Sequence, residues 1–540
     1  MALLEHDPDK HYLLNGITNG FDIINQGYPE GPIQVANYSS ALQSRKLVEK
    51  QLQQELDEGR YLIVKDPPRV ISALGAIPKP DGTVRLIHDC SRPQGNSVND
   101  YAVISSNIKY QTVQDAVNLI SKGYYLAKLD LQSAYRYVST NSAHWPYAGL
   151  QWTFEGHSKP TYMVDTRLPF GARLSVEAFH RISLALQRIL LNQGIQTVIY
   201  LDDILIISKS EKECSQHMGA AVSTLRSLGL AISYNKMEGP TQKLTFLGIE
   251  INTATCTLGL PADKLRNFSA LLEHFLQQQR ASLKQLQRLV GKLAWASHVV
   301  TGGRIFLQRV LDTMRPLKHA SHKVKLSLEF KLDIQWWLQY MPLFNNTSFC
   351  PQQRPFNIIT TDSSSQAGGA TLNSTDWFYL DWIIDHPAVF PLHINAKEAL
   401  MAFAALYRWA PTLRDSSVIL YTDNVFTQAA INKGACSNPI IMFHIRNLFW
   451  LCNLFNFTVK CRHIPGKDNI ASDSISRLRT CGHFLYWNSV VTGNAFNSDY
   501  FITAMEQHMS NNCISFFLTQ VPNLVPWLTA SIKRLHITGH

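Results

Sequence analysis

The sequence predicts a multidomain α+β protein on three grounds: its length, two separate stretches in which strand-like and helix-like segments mix, and a positive charge gathered between them. At 540 residues and about 150 residues per domain, roughly three or four domains are expected, which excludes a single small binding module. The composition is 45% hydrophobic, with 11 Trp, 20 Tyr and 25 Phe, and so supplies large cores and excludes general disorder. Fifty Lys and Arg against 40 Asp and Glu leave a net charge of +10, pointing to an acidic partner, most commonly nucleic acid.

Taken in order, residues 1–55 form an N-terminal segment, and residues 56–255 read as a mixed α+β unit. Ala76-Ile-Pro-Lys and Thr83-Val-Arg-Leu-Ile flank the turn Pro80-Asp81-Gly82, the pattern of a hairpin within Gly75 to Asp100. Apolar strand patterns follow at Tyr124 to Leu131 and Thr197 to Ile207, with helical spacing at Leu174 to Leu191 and Cys214 to Leu228. Residues 256–350 are basic and helical. Between 261 and 331 there are 13 Lys and Arg against four acids, a local +9 that holds nearly all the net charge. Arg280, Lys284, Arg288 and Lys292 recur every four residues beside Leu283, Leu286, Leu289, Val290 and Leu293, predicting one amphipathic helix with a basic stripe. The stripe is either a solvated face or a track for a phosphate backbone.

Residues 351–478 predict a second α/β unit. Its strands begin at Phe356 to Thr361, recur around Trp377 to Leu380 and at Ser417 to Thr422, and end near Phe457, with a helix over Ala396 to Trp409. Residues 479–540 carry no signal. The nine cysteines are scattered without a C-x-x-C pair, so a disulfide scaffold is not expected. Met1 to Tyr12 is polar and acidic rather than a secretory signal, giving intracellular (cytoplasmic or nuclear) residence as the expectation. The most apolar run, Cys513 to Ile532, is interrupted by Gln520, Pro522, Asn523 and Pro526, so no membrane partner is expected.

Two sets of acids carry the chemistry. Asp202 and Asp203 lie mid-hairpin in Val198-Ile-Tyr-Leu-Asp-Asp-Ile-Leu-Ile-Ile207, and Asp130 ends an apolar strand. Acids in such surroundings are costly unless a cation neutralises them, and an oxygen site of this kind suits a pair of Mg²⁺ ions that clamp both oxygens of a phosphoryl displacement. An Asp pair in a turn can also be purely structural. Asp362, Glu398, Asp423 and Asp473 form a second set, spaced 36, 25 and 50 residues apart, each where an element starts or ends.

Tyr200-Leu-Asp-Asp203 resembles the Y-x-D-D motif of reverse transcriptases, and Asp130-Leu-Gln-Ser-Ala-Tyr135 their first catalytic motif. In the same order, Ile77 to Arg85 resembles the fingers hairpin, Leu168-Pro-Phe-Gly171 the template and nucleotide-binding turn, Gly229-Leu with Lys236 the fourth palm motif, and Phe246-Leu-Gly248 the primer grip. Val176 stands where related elements often have Pro. The second set resembles an RNase H site, whose H-x-x-G-x-x-N-x-x-A-D pattern is met by His463, Gly466, Asn469 and Asp473, with Ser472 replacing Ala.

The resemblance implies a right-hand polymerase of fingers, palm and thumb followed by an α/β RNase H-like domain. It implies metal ligation by Asp130, Asp202, Asp203, Asp362, Glu398, Asp423 and Asp473, with two Mg²⁺, or Mn²⁺ in their place, at each site, and proton transfer or product release by His463. Lys79, Arg85, Tyr135, Gly171 and Lys236 would bind the incoming dNTP, Tyr135 excluding a ribose 2′-OH. Phe246, Gly248 and the basic stripe would hold an RNA template, a DNA primer and the RNA–DNA hybrid. His88 to Asn99 and Tyr12 to Phe21 look most like retroelements that encode a tyrosine recombinase, the DIRS-type group, with gypsy-type elements second. The alternative function is a domesticated, non-catalytic nucleic-acid-binding protein that keeps both folds. Cys461-x-His463 with Cys481-x-His483 also admits a zinc reading, a weaker one because His463 already has an RNase H role.

Overall fold

The computed structural model describes residues 2–79, 82–105, 108–350, 353–384 and 386–477. The segment 479–540, with Cys481 and His483, lies outside the described residues, as does most of the Pro80-Asp81-Gly82 turn. The chain divides into two compact units, one of residues 1–261 with 348–350, the other of 262–347 with 351 onward. No described helix is long and apolar enough to cross a membrane.

In the first unit, helices α1 (Lys10–Asn19) and α2 (Arg45–Asp57) precede the predicted hairpin. The boundary at residue 55 falls inside α2, whose Val48, Leu52 and Glu55 share one buried face at helical spacing. Strands β1 (Ala73–Pro78) and β2 (Val84–Asp89) pair antiparallel, with Ile77 opposite Arg85. Period-two alternation buries Val84, Leu86 and His88 while exposing Arg85.

The palm is a four-stranded antiparallel sheet. Its strands β3 (Tyr125–Asp130), β4 (Gln196–Tyr200), β5 (Asp203–Ser208) and β6 (Glu238–Thr241) stand in the order β6-β3-β5-β4. Leu126, Ala127 and Leu129 of β3 are all fully buried, which is why that strand reads as mostly apolar, broken only at Lys128, rather than as alternating. Two helices, α3 (Arg173–Asn192) and α4 (Glu211–Ser227), bury Phe179, Ala185, Leu186, Leu190, Cys214, Ala221 and Leu225 in the same core. The Ser210 hydroxyl accepts from Glu213 N and caps α4. Burying a ring such as Phe179 contributes about 1.5–3 kcal/mol, and its truncation to Ala would cost about 3–5 kcal/mol. A further hairpin, β7 (Lys243–Phe246) and β8 (Ile249–Asn252), turns at Leu247 and Gly248, both at positive φ. Cys256 and Cys350, 94 residues apart, are joined in a disulfide, the one found among the described residues.

The second unit begins with helices α5 (Ala262–Gln277), α6 (Leu283–Ala296) and α7 (Leu328–Phe344). Here one expectation is corrected. Arg280 is not on the basic helix: Ser282 and Gln285 form a capping box that starts α6 at Leu283, and Arg280 lies in a short ribbon opposite Lys325. Lys284, Arg288 and Lys292 do lie on α6, opposite its buried Leu286, Leu289 and Leu293. Their spacing of four ran on past a cap that charge periodicity does not register.

A five-stranded sheet follows, built from β9 (Phe356–Ser363), β10 (Ala367–Leu372), β11 (Asp376–Asp381), β12 (Ser417–Thr422) and β13 (Thr458–His463) in the order β11-β10-β9-β12-β13. The first three strands are antiparallel, and β12 and β13 add in parallel. Helix α8 (Ile394–Arg408) covers one face and α10 (Pro439–Leu454) packs on it, with α9 (Val425–Lys433) between them in sequence. Helix α11 (Ile470–Ser476) lies against β10 because Gly369 has no Cβ there: one would come within 2.7 Å of Ile475 and of Ser472 O. Asp333 of α7 is buried between Arg309 Nη1 at 3.2 Å and Arg446 Nη2 at 2.9 Å, linking the basic helical segment to the sheet domain. Burial outweighs the two arginines and pushes the Asp333 carboxyl up to about 6.

Candidate active sites

Strand pairing builds the palm site. Asp203 stands opposite Asp130 across β5 and β3, and opposite Tyr200 across the β4–β5 turn. Asp202 falls in that turn, where its carbonyl accepts from Leu131 N at 3.1 Å. The preceding Leu201 has φ +54, a left-handed conformation costly for a leucine. The buried Ser183 hydroxyl, 3.0 Å from Leu201 O and 2.8 Å from Phe179 O, ties the turn to α3. Burial, with the charges of Asp203 and Asp130 adding to it, raises the Asp202 carboxyl above its ordinary value.

Two lysines face this group. Lys236 Nζ is 3.0 and 3.2 Å from the two oxygens of Asp130, and Lys128 Nζ is 3.4 Å from Asp203 Oδ1. Lys128 escaped the sequence reading, although its place two residues before Asp130 puts both on one strand face. The three palm acids do not close into a single cluster with every ligand atom within 4.8 Å.

Tyr135 sits on the short turn Ala134–Tyr137 just beyond β3, half-buried, stacked on Phe179 at 4.7 Å and tilted against Phe170 at 5.2 Å. Burial, then the charges of Tyr110, Asp202 and Tyr200, raise its phenol above the ordinary value. Arg85 extends over the Phe170 ring at 5.9 Å. Gly171 has φ +132, and a Cβ there would strike His88 O at 2.0 Å, so only glycine fits. Asn99 holds this turn from both sides, donating to Gly171 O at 2.9 Å and accepting from Arg173 N at 2.7 Å. Lys79 is exposed at the hairpin end, its backbone N donating to Thr83 O. Phe246 is fully buried, so the part of the predicted primer grip that faces solvent is the Leu247-Gly248 turn and not the Phe246 ring.

The second site is more closed. Among the described residues, Asp362, Glu398 and Asp423 form the group whose ligand atoms all lie within 4.8 Å of one another. β9, α8 and the end of β12 supply one acid each. Ser363 N donates to Glu398 Oε1 at 2.8 Å, Thr422 Oγ1 approaches Glu398 Oε2 at 3.4 Å, and Ser476 Oγ donates to Asp362 Oδ2. Burial is the main cause that pushes Glu398 up to about 9, with the charge of Asp362 next; burial also pushes Asp362 up to about 6. Buried acids this close, hydrogen-bonded by serine, threonine and backbone groups, are a donor set that fits a hard divalent cation.

Asp473 stands outside the 4.8 Å group and pairs with Arg477 Nε at 2.6 Å. Its α11 is nonetheless anchored at the site, because Asn469 Nδ2 donates to Thr361 O beside Asp362. His463 is exposed, with Nε2 3.1 Å from Asp423 O, while Cys461 is buried in β13. Described His and Cys form no metal group, which leaves the zinc reading without a site among the described residues.

This is a mixed α/β architecture, that of a polymerase domain followed by a further α/β domain. Residues 77–251 match the family model described as reverse transcriptase (RNA-dependent DNA polymerase), so the palm segment is a reverse transcriptase domain. The chain is homologous to viral and transposon polyproteins. It is 23% identical over 395 residues to the enzymatic polyprotein of cauliflower mosaic virus (strain Strasbourg), covering 68% of this chain and 53% of that one. It is 23% identical over 477 residues to the retrovirus-related Pol polyprotein from transposon opus of Drosophila melanogaster, covering 83% and 43%. The chain thus spans about half the length of these relatives. In fold it is similar to the foamy viral protease-reverse transcriptase solved in complex with dsDNA (TM-score 0.52, 16% identity, 83% of this chain and 87% of that one). The same protein with an RNA/DNA hybrid gives TM-score 0.51 and 16% identity, over 82% and 56%.

Proposed function

We propose that the chain is a retroelement reverse transcriptase that copies RNA and DNA templates into DNA from dNTPs and cleaves the RNA strand of the resulting hybrid. The proposed division is an N-terminal segment (1–55), fingers and palm (56–255), a basic thumb and connection (256–350), an RNase H-like domain (351–478) and a tail (479–540). The observation that carries the reading is the pairing of Asp130 with Asp203 in register at the end of the palm sheet, inside a reverse transcriptase domain.

In this reading Asp130 and Asp202, assisted by Asp203, hold Mg²⁺ in the palm, and Asp362, Glu398 and Asp423, joined by Asp473, hold it in the second unit. Bound there, the cations supply Lewis-acid stabilisation of the charge that develops on phosphate. The chain's own groups do the rest. Lys79 and Arg85 bind the triphosphate, Gly171 lets backbone approach the nucleotide, Tyr135 screens the sugar, and Lys236 takes part in binding the nucleotide. His463 assists proton transfer or product release. The basic face of α6 and the Leu247-Gly248 turn hold the duplex.

We place the element in the DIRS-type group, with gypsy-type second, on the strength of the stretches His88 to Asn99 and Tyr12 to Phe21, and its residence as intracellular. Retention of all seven acids speaks against a domesticated protein without turnover. The test is a paired assay on one preparation: DNA primer extension and release of RNA from a preformed hybrid, each with Mg²⁺ and with chelator. Turnover in neither assay would leave the non-catalytic alternative standing.

A further inference from the structure

The N-terminal segment contributes a residue that acts beside the palm site. Glu55 of α2 is 6% exposed, and its Oε2 accepts from Arg136 Nε at 3.0 Å and Nη2 at 2.9 Å. The same guanidinium donates through Nη1 to Asp165 Oδ2 at 2.8 Å and reaches Leu168 O at 3.4 Å, with the Tyr61 ring 5.2 Å from its carbon. Arg136 is 7% exposed and immediately follows Tyr135 in the chain.

These neighbours share the four-residue 3₁₀ turn Ala134–Tyr137. Such a turn has poor hydrogen-bond geometry and little stability of its own. It is entered through Ser133 in a left-handed conformation, without a side-chain cap, and is closed by Arg136 N to Ser133 O and Val138 N to Tyr135 O. What fixes its orientation is therefore side-chain anchoring. On one side Tyr135 rests on Phe179 and Phe170, contacts that allow sliding. On the other, Arg136 is forked between two buried carboxylates, a geometry that fixes direction as well as distance. Arg136 also reaches the start of the Leu168-Pro-Phe-Gly171 turn, so one guanidinium ties together the two loops that face the nucleotide site.

We infer that Glu55 and Arg136 are positioning residues for sugar discrimination: the Glu55–Arg136–Asp165 clamp locks the turn that carries Tyr135, and so sets how tightly the Tyr135 ring closes on the 2′ position of the incoming nucleotide. The inference rests on the reading of Tyr135 as the sugar-screening residue. A structural ion network would support folding alone; this clamp sets selectivity through the residue next to it in sequence.

The test measures kcat/KM for rNTP and for dNTP with the full chain, primer-template and Mg²⁺, in Glu55→Gln, Arg136→Lys, Tyr135→Ala and the double variant Glu55→Gln/Tyr135→Ala. Glu55→Gln keeps the shape and removes the charge; Arg136→Lys keeps the charge and removes the fork. Each single clamp variant is expected to raise the rNTP-to-dNTP ratio about five- to tenfold, chiefly through a lower KM for rNTP, with kcat for dNTP within about twofold. In the Tyr135→Ala background, Glu55→Gln should change the ratio no further. Should Glu55→Gln melt below the assay temperature, Arg136→Lys carries the same comparison. An unchanged ratio in folded clamp variants, while Tyr135→Ala relaxes it, overturns the clamp and leaves the sugar screen intact. An unchanged ratio in Tyr135→Ala overturns both, and multiplicative effects in the double variant would mean that Glu55 loosens the whole site rather than acting through Tyr135.

Discussion

Lys236 places its ammonium 3.0 and 3.2 Å from the two carboxylate oxygens of Asp130, so one palm acid already holds a cation from its own chain. A divalent ion held by Asp130 would compete with that contact. Lys236 is 60% exposed although Asp130 is buried, and an ion pair screened on its ammonium side is worth about 1 kcal/mol, near the upper end for surface pairs. Lys236→Met should therefore tighten Mn²⁺ binding at the palm, read by calorimetry or paramagnetic titration, by no more than about fivefold. Weaker binding in that variant would show that Lys236 supports the ion instead of competing with it.

Glu398 yields a prediction whose sign follows from its raised pKa. Without metal, the folded protein favours the protonated acid, and its pKa of about 9 lies above the ordinary 4.5. The associated stability is complete below about pH 4.5 and is lost as pH rises toward 9. Glu398→Gln cannot ionise, so at pH 8 and without metal it should melt several degrees above the unaltered protein, at roughly 2–4 °C per kcal/mol. The difference should vanish near pH 4.5. Cleavage of the hybrid should be lost in the same variant while DNA synthesis persists. A lower melting temperature at pH 8 would contradict the electrostatic account of this site.

The basic helix makes a prediction about salt. Lys284 and Arg288 are exposed on α6, whereas Lys292 is half-buried with its ammonium 5.8 Å from the Phe268 ring. Replacing the three together by Gln should flatten the slope of log K against log salt by up to about 0.9 for each phosphate no longer neutralised, uniformly across sequences. Early dissociation and short products should follow, not a dead enzyme. An unaltered slope with normal product length would make the stripe a solvated face.

Most of this architecture was legible in the chain because local pattern and tertiary environment agree. The mostly apolar segment ending at Asp130 is an interior strand, and the Asp202-Asp203 pair falls at a turn between two apolar strands. Where the structure departs from the reading, a contact that periodicity or motif spacing does not register decides the outcome. Arg280 matched the stripe's period but lay before the Ser282 cap. Phe246 matched a motif but points into the core. Asp473, which matched a spacing, lies outside the close group of three acids and pairs with Arg477 four residues on. Ser183 and the Glu55–Arg136 clamp had no local signature, since Leu201 is distant from Ser183 in sequence and Arg136 from Glu55, and single polar residues in strands and helices are common, whereas Lys128 was legible from its strand face two residues before Asp130.

In the proposed function the acids at the end of the palm sheet perform templated DNA synthesis, at a site separate from the one proposed to cleave the hybrid. The most direct measurement is extension of a DNA primer on an RNA template with dNTPs and Mg²⁺, by the unaltered chain and by Asp202→Asn, with cleavage of a preformed hybrid followed in parallel. Full-length DNA from the unaltered chain is predicted. Asp202→Asn should lower synthesis by at least about a hundredfold, as loss of several kcal/mol of charge stabilisation requires, with hybrid cleavage unchanged. If synthesis survived Asp202→Asn, or if both activities fell together in a folded protein, the assignment of two separate carboxylate sites would be wrong.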